Sequence, residues 1–207
     1  MAVPEASGWE NAVSSAAGPA VEKEAVPPPL SEAEKDALDE LQDLLKLNLA
    51  AIASLSPGPA QILPHVLLGA ATDAQDRQAL KALGVTHVLN CAGGAVHTGA
   101  MFYKPVGIEY SQFNSEDTQG YDIMSHYSVL EKLADEAKAT GGRLFVHCEA
   151  GVNRSGSLCL AYHALSTSTP LLLSAKHCKA ARGRICTNCG FQKQVFEFVR
   201  ARGGALA

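Results

Sequence analysis

The sequence predicts an α/β domain, a central and mainly parallel twisted sheet flanked by helices. Three observations point there. Short apolar runs alternate with stretches whose apolar residues recur at helical spacing, the pattern of parallel strands joined by crossover helices. One run, Arg143 to His147, is too apolar to face water on both sides, so it belongs inside the sheet. The chain has 207 residues, 47% apolar and 18% charged, which suits one globular domain plus a tail.

The elements follow in order. Residues 1–30 are rich in Ala, Pro, Ser and Glu and end in Pro27-Pro28-Pro29, so they read as a flexible leader. Trp9 within it is read as an exposed aromatic, with a docking anchor as the alternative. Ser31-x-x-Glu34 is a capping-box pattern, and Leu38, Leu41, Leu45, Ile52 and Leu55 follow at helical spacing. That places an amphipathic helix over 31–56, stopped by Pro57-Gly58-Pro59 and packed on its own domain. Residues 57–207 form the main domain. Ile62 to Leu68 reads as a strand, Thr72-x-x-Gln75 as the cap of a helix reaching about Leu83, and Val85 to Cys91 as a strand. Extended segments are expected around Tyr103 to Val106 and Ile108 to Phe113. A helix is expected from Ile123 to Ala139, with further helices near 154–168, 170–182 and 190–202.

Composition excludes several classes. A net charge of −4 argues against a general nucleic-acid binder, which needs clustered Lys and Arg. No run reaches the ~18 to 20 apolar residues of a membrane span. The start, MAVPEASGWE, has neither the basic nor the apolar region of a secretory signal. Six cysteines in a chain of this length do not make a disulfide scaffold. The expectation is a soluble protein of a reducing compartment, cytoplasmic with the nucleus as an alternative, having no membrane or nucleic-acid partner.

The segment that carries chemistry is Leu144-Phe145-Val146-His147-Cys148-Glu149-Ala150-Gly151-Val152-Asn153-Arg154-Ser155-Gly156. It reads as an apolar strand, a tight loop from Cys148 to Arg154, and a helix starting near Ser155. Ligands of open α/β sheets sit at such strand ends, where helix N-termini present free N–H groups. Amides of Glu149, Ala150, Gly151, Val152, Asn153 and Arg154 turned inward would make an anion nest. Arg154 adds a planar fork for two phosphate oxygens. The same surroundings favour thiolate over thiol at Cys148, which makes it a nucleophile for phosphorus. The Ser155 hydroxyl is placed to hydrogen-bond the sulfur and ease its departure. A general acid is also required, and Asn114-Ser115-Glu116-Asp117-Thr118-Gln119-Gly120 is the candidate loop.

These motifs resemble the cysteine-dependent protein phosphatases, specifically the small, atypical dual-specificity branch of the protein tyrosine phosphatase superfamily. HCEAGVNRS matches the family pattern His-Cys-x5-Arg-Ser/Thr, and Asp117 lies 31 residues before Cys148, where the family has its acid. Val85 to Asn90, Ile62 to Gly69 and Asn188-Cys189-Gly190-Phe191-Gln192-Lys193-Gln194 resemble three further family segments, so the likeness spans about residues 58–202. Three departures stand out: Asn153 replaces the commoner Ser, Gly156 replaces a larger small residue, and Thr187 stands where the family usually has Pro.

The resemblance implies a phosphatase-like fold and hydrolysis of phosphotyrosine, with phosphoserine and phosphothreonine, through a cysteinyl-phosphate intermediate. Cys148 is then nucleophile, Arg154 the transition-state clamp, Asp117 the acid and base with Glu116 or Asp122 as alternatives, and Ser155 the turnover aid. His147 and Asn188 support the loops. No metal or cofactor is implied, because the loop itself supplies the positive field. The implied partner is a phosphoprotein, a protein kinase being one candidate. The alternatives are a phosphopeptide-binding scaffold of weak activity, or a phosphatase for RNA triphosphate, lipid or glycan. Zinc at Cys186-x-x-Cys189 with His177-Cys178 is disfavoured by irregular spacing. Cys91 is by default a small core residue, with a reversible disulfide to an oxidised Cys148 as the alternative. Lys176, Lys179, Arg182 and Arg184 read either as a cleft border or as a solvated helix end.

Overall fold

Five strands build the sheet of the computed structural model, which describes residues 28–47 and 56–207. They are β1 (Ala60–Leu63), β2 (Val66–Gly69), β3 (Val85–Asn90), β4 (Glu109–Gln112) and β5 (Arg143–His147), in the spatial order β1-β2-β5-β3-β4. β2, β5, β3 and β4 run parallel, and the edge strand β1 is antiparallel to β2. Successive side chains of a strand point to opposite faces. Leu144 and Val146 of β5 therefore enter one apolar layer and Phe145 the other. Val66 and Leu68 of β2 oppose Leu67 in the same way. Both faces are covered, as parallel strands require.

The helices are α1 (Glu32–Leu45), α2 (Ala71–Ala74), α3 (Arg77–Ala82), α4 (Ala100–Tyr103), α5 (Tyr127–Ala139), α6 (Arg154–Thr167), α7 (Leu171–Arg182) and α8 (Cys189–Ala201). The larger layer takes α1 and α5 to α8; the smaller takes α2, α3 and α4. α6 is buried at every position from Arg154 to Ala164, so it has no polar face there. It follows β5 directly, which aims its N-terminus at the carboxyl end of the sheet.

Four local expectations are corrected. Ile62 to Leu68 is two strands, because the chain reverses at Pro64-His65 and β1 pairs back on β2. The helix expected from Thr72 to Leu83 is split. Asp73 accepts from Ala70 N at 2.8 Å before α2, and Asp76 accepts from Ala79 N at 2.9 Å to cap α3. Tyr103 to Val106 is helical and then 3-10, not extended; its aromatic character serves the core, where Tyr103 donates to Ala74 O at 2.7 Å. Finally, α1 ends at Leu45, and Lys46 already has an extended backbone. Ile52 and Leu55, expected on that helix, lie outside the described residues, as does the leader over 1–27 with Trp9.

The start of α1 matches its capping box, with Glu34 N donating to Ser31 Oγ at 3.3 Å and Ser31 N to Glu34 Oε2 at 2.7 Å. Ala37, Leu41 and Leu45 are buried, and α1 packs on α7 and α8. Arg200 meets Glu34 at 2.6 Å and donates to Pro28 O at 2.9 Å, so the last residues of the expected leader are tied to α8.

Candidate active site

Every peptide carbonyl from Cys148 to Val152 is engaged away from the loop's hollow. His147 Nδ1 donates to Cys148 O at 3.2 Å, Ala71 N to Glu149 O at 2.9 Å, and Cys186 N to Val152 O at 2.8 Å. Arg182 takes the two between them, Nη2 donating to Ala150 O at 3.1 Å and Nε to Gly151 O at 3.2 Å. The C=O and the following N–H of a planar trans peptide point in opposite directions. With the carbonyls held outward, the amides of Glu149, Ala150, Gly151, Val152 and Asn153 are turned inward together. These are five of the six amides expected to turn inward, the Arg154 amide lying outside the set, and the cause is five donors to the carbonyls. Gly151 is required at its position. Its φ is +64°, and a Cβ there would sit 2.1 Å from Gly69 O.

Arg182, read from the sequence as a cleft border or a solvated helix end, has a role that reading did not include, as the buried donor to the loop carbonyls. It is 2% exposed, and its remaining bonds reach Ser56 O at 3.2 Å and Gly58 O at 3.0 Å, so four carbonyls share one guanidinium. Arg182→Met keeps the bulk and removes all four bonds. The expected cost is on the order of 3–5 kcal/mol, with loss of orthovanadate binding, read by urea denaturation and by titration.

His147 is fully buried, and burial pushes its pKa down to about 4. His163, beside Ser174 and stacked on His177, is pushed to about 4 by the same cause. Unfolded histidines bind a proton near pH 6.5. Their contribution is therefore complete above that pH and is lost as pH falls toward 4. The unfolding free energy from urea titration is expected to drop across this window, by about 1.4 kcal/mol per pH unit for each histidine, and His147→Gln should remove its share.

Inside the loop, Cys148 is 1% exposed and Ser155 Oγ donates to its Sγ at 3.2 Å. Arg154 lies across it. Nη1 donates to Ser115 O at 3.2 Å, Nη2 is paired with the Glu149 carboxylate, and Nε is buried with no partner among the described residues. Asp117 stands at the rim, where Oδ1 accepts from Asn188 Nδ2 at 2.9 Å and Oδ2 from Asn153 Nδ2 at 3.1 Å. Glu116 is exposed, and the Asp122 carboxylate accepts from Ser125 N at 3.2 Å.

The start of α8 cinches the acid loop. A Cβ on Gly190 would meet Gln119 O at 2.2 Å, so only glycine allows this approach. Gln194 accepts from Ile123 N at 2.9 Å and donates to Tyr121 O at 2.7 Å. Asn188 caps α8 through Gly190 N and Phe191 N, while its amide reaches Asp117.

A cleft of about 310 Å³ joins Cys148, Glu149, Arg154, Asp117, Asn153 and Thr187, with Arg184 and Leu47 on its walls. Larger hollows of about 540 and 700 Å³ flank β4 but are lined by no cysteine. Arg184 thus borders the cleft. Lys176 pairs with Glu40 at 3.3 Å and Lys179 donates to Leu44 O, so both bind α1 instead. Cys91, Cys159, Cys178 and Cys186 are buried free thiols, the last accepting from Ser157 Oγ at 3.2 Å. Cys91 N donates to His147 O at 2.8 Å, which sets Cys91 beside the strand leading to Cys148. Among the described residues, no group of three His, Cys, Asp or Glu is placed to hold a metal ion.

Comparison with known proteins shows the family and the fold. The sequence profile of the dual specificity phosphatase catalytic domain matches residues 66–201. Dual specificity protein phosphatase 2 of Homo sapiens is 34% identical over 143 residues, 68% of this chain and 43% of that one. The chain thus spans less than half of that relative. Dual specificity protein phosphatase 13B of Homo sapiens is 34% identical over 161 residues, covering 76% of this chain and 79% of its own. The tyrosine phosphatase OH1 from the Orf virus superposes with a TM-score of 0.64 at 22% identity, over 81% of this chain and 98% of that one, a likeness of fold.

Proposed function

Since the chain belongs to the dual specificity phosphatase family, we propose that it hydrolyses phosphate monoesters on proteins, phosphotyrosine together with phosphoserine and phosphothreonine, through a cysteinyl-phosphate. The observation that carries this reading is one cleft holding a buried sulfur, an inward ring of amides, a guanidinium and a carboxylate. In the first step the Cys148 sulfur attacks phosphorus as Asp117 protonates the departing oxygen. The nest and Arg154 stabilise the equatorial oxygens as charge spreads onto them. In the second step Asp117 takes a proton from water, water attacks phosphorus, and the S–P bond breaks. The Ser155 hydroxyl stabilises the thiolate that leaves. The positive field comes from dipoles and Arg154, so no metal enters either step.

The loop side chains support a monoester on a protein. Ala150, Gly151, Val152 and Asn153 are uncharged and Glu149 is acidic, so no loop side chain before Arg154 offers a cation to further phosphates of a lipid or RNA end. Phosphate release from phosphopeptides, phosphoinositides and triphosphate RNA tests the reading; only the peptides should be turned over. Asp117→Asn should lower kcat by about 10²–10⁴-fold on substrates with poor leaving groups. Its effect should be much smaller on para-nitrophenyl phosphate, whose leaving group needs little protonation. Equal losses on both would remove the acid assignment.

A further inference from the structure

We propose that the Asn153 side chain is a positioning residue for Asp117, oriented for that task by Thr187; this rests on the reading of Asp117 as the acid. Asn153 occupies the N-cap position of α6, where an asparagine ordinarily accepts from the first helical N–H groups. Its side chain makes no such bond. Instead Oδ1 accepts three times from the turn before α8, from Thr187 N at 2.8 Å, Thr187 Oγ1 at 3.0 Å and Asn188 N at 3.0 Å. The two backbone N–H groups can only donate, so the atom facing them is the oxygen and the NH2 must face the other way. It faces Asp117, with Nδ2 3.1 Å from Oδ2.

The result is a clamp of three segments. The phosphate loop supplies Asn153, the turn before α8 supplies Thr187 and Asn188, and the acid loop supplies Asp117. Diverting the amide also leaves the first N–H groups of α6 uncapped by a side chain and directed at the nest. Two of the three departures from the family pattern, Asn153 and Thr187, are each other's partner. Serine at 153 is too short to span from Thr187 to Asp117, and proline at 187 would supply neither the N–H nor the hydroxyl.

The test is a mutant cycle read by kcat and KM on phenyl phosphate, a poor leaving group, and para-nitrophenyl phosphate, a good one. Asn153→Ser is expected to lower kcat on phenyl phosphate by about 10–100-fold with a small change in KM, and to lower it far less on para-nitrophenyl phosphate. In an Asp117→Asn background, Asn153→Ser should cost nothing further, because it acts through the carboxyl. Thr187→Pro should reproduce the Asn153→Ser loss, and Thr187→Ser, which keeps both donors, should behave as the parent. If Thr187→Pro does not fold, the Asn153→Ser arms decide. Unchanged kcat on phenyl phosphate, or an equal loss in both backgrounds, overturns the proposal, since a purely structural role would weaken both alike. A harmless Asp117→Asn alone would instead overturn the acid assignment beneath it.

Discussion

Cys148→Ser is expected to slow hydrolysis of a phosphotyrosyl peptide by at least about 10⁴-fold while peptide binding is kept or strengthened. The nest is built by donors to carbonyls from Cys148 to Val152, none of which involves the sulfur. The serine protein therefore keeps its amides and Arg154. What it lacks is the sulfur nucleophile. Its nearest polar neighbour, Ser155, donates rather than accepts, so no base is at hand to ionise a hydroxyl. Initial rates and calorimetric titration of the same peptide separate the two effects; a rate within tenfold of the parent would contradict the assignment.

Arg154→Lys is expected to cost about 10²–10³-fold in kcat/KM although the formal charge is unchanged. A lysine is a point charge without a planar fork, so it cannot meet two equatorial oxygens at once. It also lacks the second arm that reaches Ser115 O at 3.2 Å and ties the acid loop to the phosphate loop. Both kcat and KM should therefore worsen, kcat through the acid loop and KM through phosphate contact. A lysine variant within tenfold of the parent would show that charge alone suffices.

The catalytic loop was legible because its chemistry is local. A strand, a glycine, an arginine and a helix start lie within fourteen residues, and each constrains the next. The ring of inward amides was legible as an outcome but not as a mechanism. Its cause is carbonyl acceptance, which no side-chain pattern records, and its main donor Arg182 comes from a helix end that looks solvated in sequence. Asn153 and Thr187 were visible as departures, yet their pairing depends on the turn before α8 folding over the loop. The misread elements have similar origins. Ile62 to Leu68 is apolar throughout, so a hairpin and a strand look alike until Pro64 is given its place in the turn. Tyr103 to Val106 was expected to be extended, whereas the burial of Tyr103 comes from the packing of α4 and not from a period.

Central to everything above is a phosphoryl group carried on the Cys148 sulfur, and trapping it is the most direct measurement. The full chain is mixed with a radiolabelled phosphotyrosyl peptide, quenched in acid within one turnover, digested and sequenced for label. Label on the peptide that contains Cys148, gone in Cys148→Ser and more abundant in Ser155→Ala, is the expected result. Peptide turnover with no labelled protein at any quench time, or label on another residue, would contradict it.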